Sequence, residues 1–313
     1  MFLMNHNSRN CKSQRSKGST CDRAIIPTGP LAGSGGAMSF GYITRRFRFC
    51  ASHRYWVSGW DEEQNQAVFG SRTSKYGHGH NYTLDVTLKG DVNPITGMVI
   101  NLSEVKKIIG AVVSRFDHAF LNVDLPYFHK IQPTAENVAR IFWQLIEPDL
   151  PEGVFLHRVR LYTTESVFAE YFGSEDEAVF SKRFVFSATH RLNSDKLKDE
   201  ENRIVYGKCN NKHGHGHNYA VIVSVRKPID SVTGMTIPLK VLEEKVRNFL
   251  KTELQGKRLD MEVPYFSDKP ATSENLIAFI HAGLEQELGP FLYRIKLKET
   301  DNNFFETGEL FDE

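Results

Sequence analysis

His78-Gly79-His80-Asn81-Tyr82 decides how this chain is read, because it returns as His215-Gly216-His217-Asn218-Tyr219, 137 residues further on. The same step carries His53 to His190 and Thr96-Gly97-Met98 to Thr233-Gly234-Met235. A step of 138 carries Pro126-Tyr127-Phe128 to Pro264-Tyr265-Phe266 and Glu136-Asn137 to Glu274-Asn275. Widely spaced motifs kept in register, with one residue of slippage, describe a duplicated domain. The period far exceeds the roughly 20–50 residues of solenoid repeats, so each copy is a folding unit.

The motif opens a strand. Tyr82, Leu84, Val86 and Leu88 alternate with polar residues, as Tyr219, Val221, Val223 and Val225 do with polar or small ones, the period-two pattern of a half-buried strand. Upstream, Ile43–Ser52 and Lys182–Thr189 are rich in aromatic and β-branched residues and predict the preceding strand. Asn93-Pro94-Ile95-Thr96-Gly97 and Asp230-Ser231-Val232-Thr233-Gly234 are turn chemistry. Leu102, Val105, Ile109, Val112 and Phe116 then share one helical face with Asn101 or Ser103 as cap, and Leu239, Leu242, Val246 and Leu250 repeat the spacing. Second helices open at Thr134-Ala135-Glu136 and Thr272-Ser273-Glu274. Final strand pairs run through Val154–Tyr171 and Phe291–Phe305. The order β-β-α-α-β-β predicts an α+β fold, an antiparallel sheet with helices on one face. Its open edges favour assembly into a barrel or ring.

Two histidines at i and i+2 of a strand project from one face, so His78 and His80 can meet His53 from the neighbouring strand around one ion. His190, His215 and His217 repeat the set. Three neutral nitrogen ligands suit Zn²⁺ and leave a fourth position open, the arrangement of a catalytic site. Gly79 and Gly216, between the paired histidines, permit close backbone approach.

The 313 residues balance 39 basic against 38 acidic side chains, which argues against a nucleic-acid partner. No run of eighteen apolar residues predicts a membrane span. Cys11, Cys21, Cys50 and Cys209 show no paired spacing, which suits a reducing compartment and a cytoplasmic location. Residues 1–37, rich in Ser, Gly, Thr and Asn, read as a disordered tail. The expected division is 38–178 for the first domain and 179–313 for the second.

Tyr206-Gly207-Lys208-Cys209-Asn210-Asn211-Lys212-His213-Gly214-His215-Gly216-His217-Asn218-Tyr219, preceded by Phe186-Ser187-Ala188-Thr189-His190 and followed by Glu299-Thr300-Asp301-Asn302-Asn303, resembles the 6-pyruvoyl-tetrahydropterin synthase family. The resemblance covers nearly all of 180–309, and a more divergent form covers about 40–173. It implies the tunnelling fold, in which β-β-α-α-β-β units form trimeric antiparallel barrels stacked as hexamers. For this chain it implies a homo-oligomer, a pseudo-hexamer of domains from three chains. It further implies conversion of 7,8-dihydroneopterin triphosphate to 6-pyruvoyl-tetrahydropterin with loss of triphosphate. Zinc would be held by the histidines, Cys209 would be the proton-transferring base, and Glu274, Glu299, Thr272 and Ser273 would clamp the amino-pyrimidine edge. Cys209 stands six residues before His215, a spacing that favours the pyruvoyl synthases over the carboxytetrahydropterin synthases.

The copies differ where the family keeps its chemistry. Arg72 stands opposite Cys209 and Thr163 opposite Glu299, while Cys50 falls opposite Ser187. The family's Asp-His pair survives as Asp117-His118 in the first copy and is replaced by Gln255-Gly256 in the second. Each copy keeps what the other lacks, so Asp117 and His118 are expected to complete the Cys209 site. Two alternatives remain: a carboxytetrahydropterin synthase of the queuosine precursor pathway, and a non-catalytic scaffold that binds zinc and pterin.

Overall fold

The computed structural model describes residues 40–174 and 176–308. The expected disordered tail 1–37, with Cys11 and Cys21, lies outside the described residues. The first repeat runs β1 (Phe40–His53), α1 (Glu62–Phe69), β2 (His78–Asp91), α2 (Leu102–Val113), β3 (Ala119–Phe120), α3 (Leu121–Asp124), α4 (Ala135–Ile146), β4 (Val154–Thr164) and β5 (Val167–Tyr171). The second runs β6 (Glu177–His190), α5 (Asp199–Tyr206), β7 (His215–Pro228), α6 (Leu239–Glu253), α7 (Leu259–Glu262), α8 (Ser273–Leu288), β8 (Leu292–Lys298) and β9 (Phe304–Gly308). The expected β-β-α-α-β-β order holds in both, with short helices added.

Local chemistry explains the elements. The Asn101 side chain accepts the Ser103 N–H at the start of α2, and Thr134 and Thr272 accept the N–H of Asn137 and Asn275 at the starts of α4 and α8. Along β2, Tyr82, Leu84, Val86 and Leu88 are buried against the helices, as Tyr219, Val221, Val223 and Val225 are along β7. From α4, Val138, Phe142 and Ile146 are fully buried against that face. Truncating Phe142 to Ala removes about 3–5 kcal/mol of such packing. The apolar cluster is continuous through both repeats.

The sheet holds the main surprise. The two repeats do not build separate sheets but share one of nine strands, ordered β3-β1-β2-β4-β5-β6-β7-β8-β9. Its pairings are antiparallel except for the short β1–β3 contact. The seam is β5 against β6, with Val167 opposite Lys182, Phe168 opposite Ser181, Ala169 opposite Phe180 and Glu170 opposite Val179. Fully buried Glu170 clamps this seam. It meets Arg160 at 2.8 Å and Arg158 at 3.7 Å on β4, and it pairs with Arg294 on β8 of the second repeat. Burial alone pushes the Glu170 carboxyl up, but the three guanidiniums outweigh it and hold the group below its ordinary value. The outer strands of the shared sheet are therefore β9 and the two-residue β3, which pairs only with Ala51 and Ser52 of β1. Among the described residues no helix is long and apolar enough to cross a membrane.

Candidate metal and substrate site

Each repeat gathers its three histidines at the end of its first two strands. Pairing of β1 with β2 sets His53 opposite His78 and Ala51 opposite His80; β6 and β7 set His190 opposite His215 and Ala188 opposite His217. One nitrogen from each histidine of a triad lies within 4.8 Å of the others. His53 Nε2 is 2.9 Å from His78 Nε2, and His190 Nε2 is 3.2 Å from His215 Nε2. These separations approach the edge of a tetrahedron with metal–nitrogen bonds near 2.0–2.1 Å, about 3.3 Å. His217 Nε2 is buried with no hydrogen-bond partner, the state of a ligand atom whose partner is a metal.

Neighbours orient the rings. His190 Nδ1 donates to the Ala271 carbonyl at 2.7 Å, leaving Nε2 as the lone-pair nitrogen. In the first repeat the Tyr82 hydroxyl lies 3.1 Å from His53 Nδ1. Burial first, then His80 and the Arg72 guanidinium, pushes His78 down to about 4. All three histidines of the first triad, and His190 and His215 of the second, lie below their ordinary value, with burial the first cause in each case. These rings are neutral at pH 7 and ready to bind a metal. The sequence pointed to Gly79 and Gly216 for close approach; a Cβ at Gly216 would lie 3.0 Å from Thr189 Cγ2, one at Gly79 would meet only ordinary contact, and the tighter positions are Gly77 and Gly214. Both have φ of 72°, and a Cβ would lie 2.8 Å from the His53 or His190 carbonyl oxygen.

The first repeat's cavity is lined by Arg72, His80, Glu136 and Thr163 together with Phe180 and Met235 of the second repeat. Arg72 occupies the place that Cys209 takes in the other copy: Tyr55 N–H donates to Arg72 O at 3.0 Å, and Leu192 N–H to Cys209 O at 2.9 Å. Both short turns are held by an asparagine buried behind them. Asn65 bonds the backbone of Val57, Trp60 and Asp61, and Asn202 bonds that of Ser194, Leu197 and Lys198. Sequence reasoning missed these asparagines, although they recur 137 residues apart, and read Tyr82 and Tyr219 only as part of the motif and the strand pattern.

In the second repeat, Glu299 Oε1 lies 3.8 Å from His217 Nε2 and 4.0 Å from His190 Nε2, and the Ser273 hydroxyl donates to it at 2.8 Å. Glu299 and Ser273 therefore join the triad. Thr272 is the N-cap of α8, and Glu274 at the helix head is exposed. Asp117 and His118 stand apart in the first repeat. Cys50 N–H donates to Asp117 Oδ1 at 2.9 Å, and His118 Nδ1 is 3.1 Å from Asp117 Oδ2. Cys50 thus positions Asp117 through its backbone, and its thiol turns to Asn81 at 3.2 Å. The cleft before the pair is lined by first-repeat residues alone. His118 is the one non-glycine residue with positive φ, 61°, among the described residues. Gly256 takes that place in the second repeat, at 75°.

The sequence pattern of the family described as 6-pyruvoyl tetrahydropterin synthase matches twice, over residues 42–174 and 180–309. The chain belongs to the 6-pyruvoyl tetrahydropterin synthase family. Family membership makes it a pterin synthase, a lyase. The human 6-pyruvoyl tetrahydrobiopterin synthase is 46% identical over 132 residues, 42% of this chain and 91% of that protein. The Drosophila melanogaster 6-pyruvoyl tetrahydrobiopterin synthase is 44% identical over 128 residues, 40% of this chain and 76% of that protein. A putative 6-carboxy-5,6,7,8-tetrahydropterin synthase of Archaeoglobus fulgidus is 37% identical over 94 residues, 30% of this chain and 73% of that protein. Among solved structures, Caenorhabditis elegans 6-pyruvoyl tetrahydropterin synthase overlays with a TM-score of 0.41 at 34% identity, covering 43% of this chain and 96% of that one. Each of these alignments covers about one repeat of this chain.

Proposed function

We propose that the protein converts 7,8-dihydroneopterin triphosphate to 6-pyruvoyl-tetrahydropterin with release of triphosphate, at one site per chain centred on the second repeat. The observation that carries this reading is the convergence of His190, His215 and His217 with Glu299, whose oxygen lies 3.8–4.0 Å from two triad nitrogens. A divalent ion held by His190, His215 and His217, for which Zn²⁺ is the natural choice, would supply Lewis acidity to the substrate's side-chain hydroxyls.

The protein's own groups do the rest. Glu299, held by Ser273, and Glu274 present carboxylates to the amino-pyrimidine edge, where two parallel N–H donors favour bidentate recognition. Cys209, on the turn behind the triad, takes and returns the proton. Its thiol needs a partner to ionise near neutral pH, and Asp117 and His118 are the pair that can serve. The first repeat carries Arg72 and Thr163 in place of the thiol and the second carboxylate. Its site lacks both groups.

The test is incubation of metal-loaded protein with 7,8-dihydroneopterin triphosphate, with products followed by mass. Triphosphate plus a pterin that retains all three side-chain carbons supports the proposal. Loss of a two-carbon aldehyde would assign the carboxytetrahydropterin reaction, and binding without triphosphate release would leave a scaffold.

A further inference from the structure

We propose that the cavity of the first repeat binds a small oxyanion, held by the Arg72 guanidinium together with a divalent cation on His53, His78 and His80. The two copies of one pocket have opposite polarity, and they take different ligands. The inference concerns the first repeat alone and does not depend on the reaction proposed for the second.

Groups that accept protons and hydrogen bonds around the second triad give way to donors around the first. Glu299 lies 3.8 and 4.0 Å from two triad nitrogens, and the Cys209 thiol can ionise. Thr163 and Arg72 stand in their places. Arg72 lines one cavity with His80 and Tyr55, and its positive charge is felt by all three imidazoles and by Tyr55. Neither the Arg72 guanidinium nor the Tyr55 hydroxyl makes a hydrogen bond or ion pair among the described residues. Glu136, the one acid in the lining, is turned to Thr236 of the second repeat. A recessed guanidinium with no carboxylate beside it offers its fork of N–H donors to an oxyanion.

Charge balance sets the sign of the ligand. A divalent cation on three neutral imidazoles keeps its full charge, and Arg72 adds another of the same sign. At the second triad a carboxylate and a thiol that can ionise offset the cation instead. Away from bulk water like charges repel more strongly than in solvent. An anion in contact with both relieves that repulsion and fills the open position of the cation. Size narrows the choice. The cavity measures about 70 Å³, space for roughly five water-sized groups, and Phe180, Met235, Ile237 and Leu239 of the second repeat form its apolar wall. Orthophosphate and bicarbonate are of that size, whereas a two-ring pterin with its side chain is larger.

The test uses the full-length chain with His215→Ala and His217→Ala, so that added Co²⁺ reports on the first triad through its visible absorption. Orthophosphate and bicarbonate are titrated separately at constant ionic strength. A saturable spectral change is expected from one of them, which identifies the ion, and binding about tenfold weaker when Arg72→Gln is added, the loss of a charge-assisted contact. The metal-loaded wild-type chain gives a second reading that leaves both triads intact. The same ion is expected to raise its melting temperature, and Arg72→Gln to abolish the rise in a chain whose circular dichroism is unchanged. No spectral change at millimolar concentrations of either ion would overturn the proposal, as would equal affinity with and without Arg72. A change produced by unphosphorylated 7,8-dihydroneopterin and by neither ion would overturn it too, and would make the cavity a pterin site. None of these readings involves turnover, so failure of the reaction proposed for the second repeat leaves them standing.

Discussion

Thr236 in the second repeat donates both its backbone N–H and its hydroxyl to Glu136 Oε1 in the first, at 3.0 and 3.2 Å. The two contacts fasten a loop of one repeat over the site of the other, and they surround a carboxyl that burial pushes up to about 7. A buried acid with a raised value stabilises the fold fully below its unfolded value near 4.5 and loses that stabilisation as pH rises through 7. Glu136→Gln keeps an acceptor for Thr236 and removes the titration. Chemical denaturation at pH 5 and pH 8 is expected to show the wild type losing on the order of 2 kcal/mol relative to Glu136→Gln. Parallel profiles would contradict this.

The two triads differ in their charged neighbours. Arg72 is among the groups that depress His53, His78 and His80, whereas Glu299 acts in the opposite sense on His190 and His215. A cation is therefore favoured in the second repeat. Chelator titration followed by metal analysis is expected to strip the first site about tenfold more easily, and Arg72→Gln to narrow the gap. Equal retention by both sites would refute the argument.

Cys209→Ala and His118→Ala chains are each expected to be inactive. Mixed and exchanged, they place one intact Cys209 opposite one intact His118 in half of the mixed pairs' sites. With random exchange of chains and a site shared between neighbours, about a quarter of wild-type activity returns. Sharing within one chain predicts no recovery.

Glu170 has no exposure and balances Arg158, Arg160 and Arg294 across the seam. Glu170→Ala removes the buried carboxylate that meets all three guanidiniums and is expected to cost about 3–5 kcal/mol in equilibrium unfolding. A loss below 1 kcal/mol would show that the cluster is hydrated and the seam held elsewhere.

His118 holds a left-handed backbone conformation that costs a non-glycine residue about 1–2 kcal/mol. His118→Gly is expected to raise stability by about 1 kcal/mol while abolishing turnover. A variant both less stable and fully active would remove His118 from the site.

Much of this was legible in the sequence because the duplication repeats each signal. The histidine triads, the capping threonines Thr134 and Thr272 and the alternation along β2 and β7 all depend on local spacing. The α1 and α5 helices escaped notice because eight charge-rich residues carry little apolar periodicity; their recurrent asparagines were the available signal. The β5–β6 seam could not be read at all. Strand partners are chosen by contacts remote in sequence, and nothing in Val167–Tyr171 says which edge it will meet.

The short connection between Tyr171 and Glu177 makes one seam intramolecular, formed at a high effective concentration whatever the dilution. A contact made with a second chain would have no such tether and would obey mass action. The Arg72 site lies at the tethered seam, whereas a Cys209 site completed by Asp117 and His118 of a second chain would lie at an untethered one. Dilution should therefore switch off turnover in chains that remain folded, so that specific activity reports protein concentration while circular dichroism does not change.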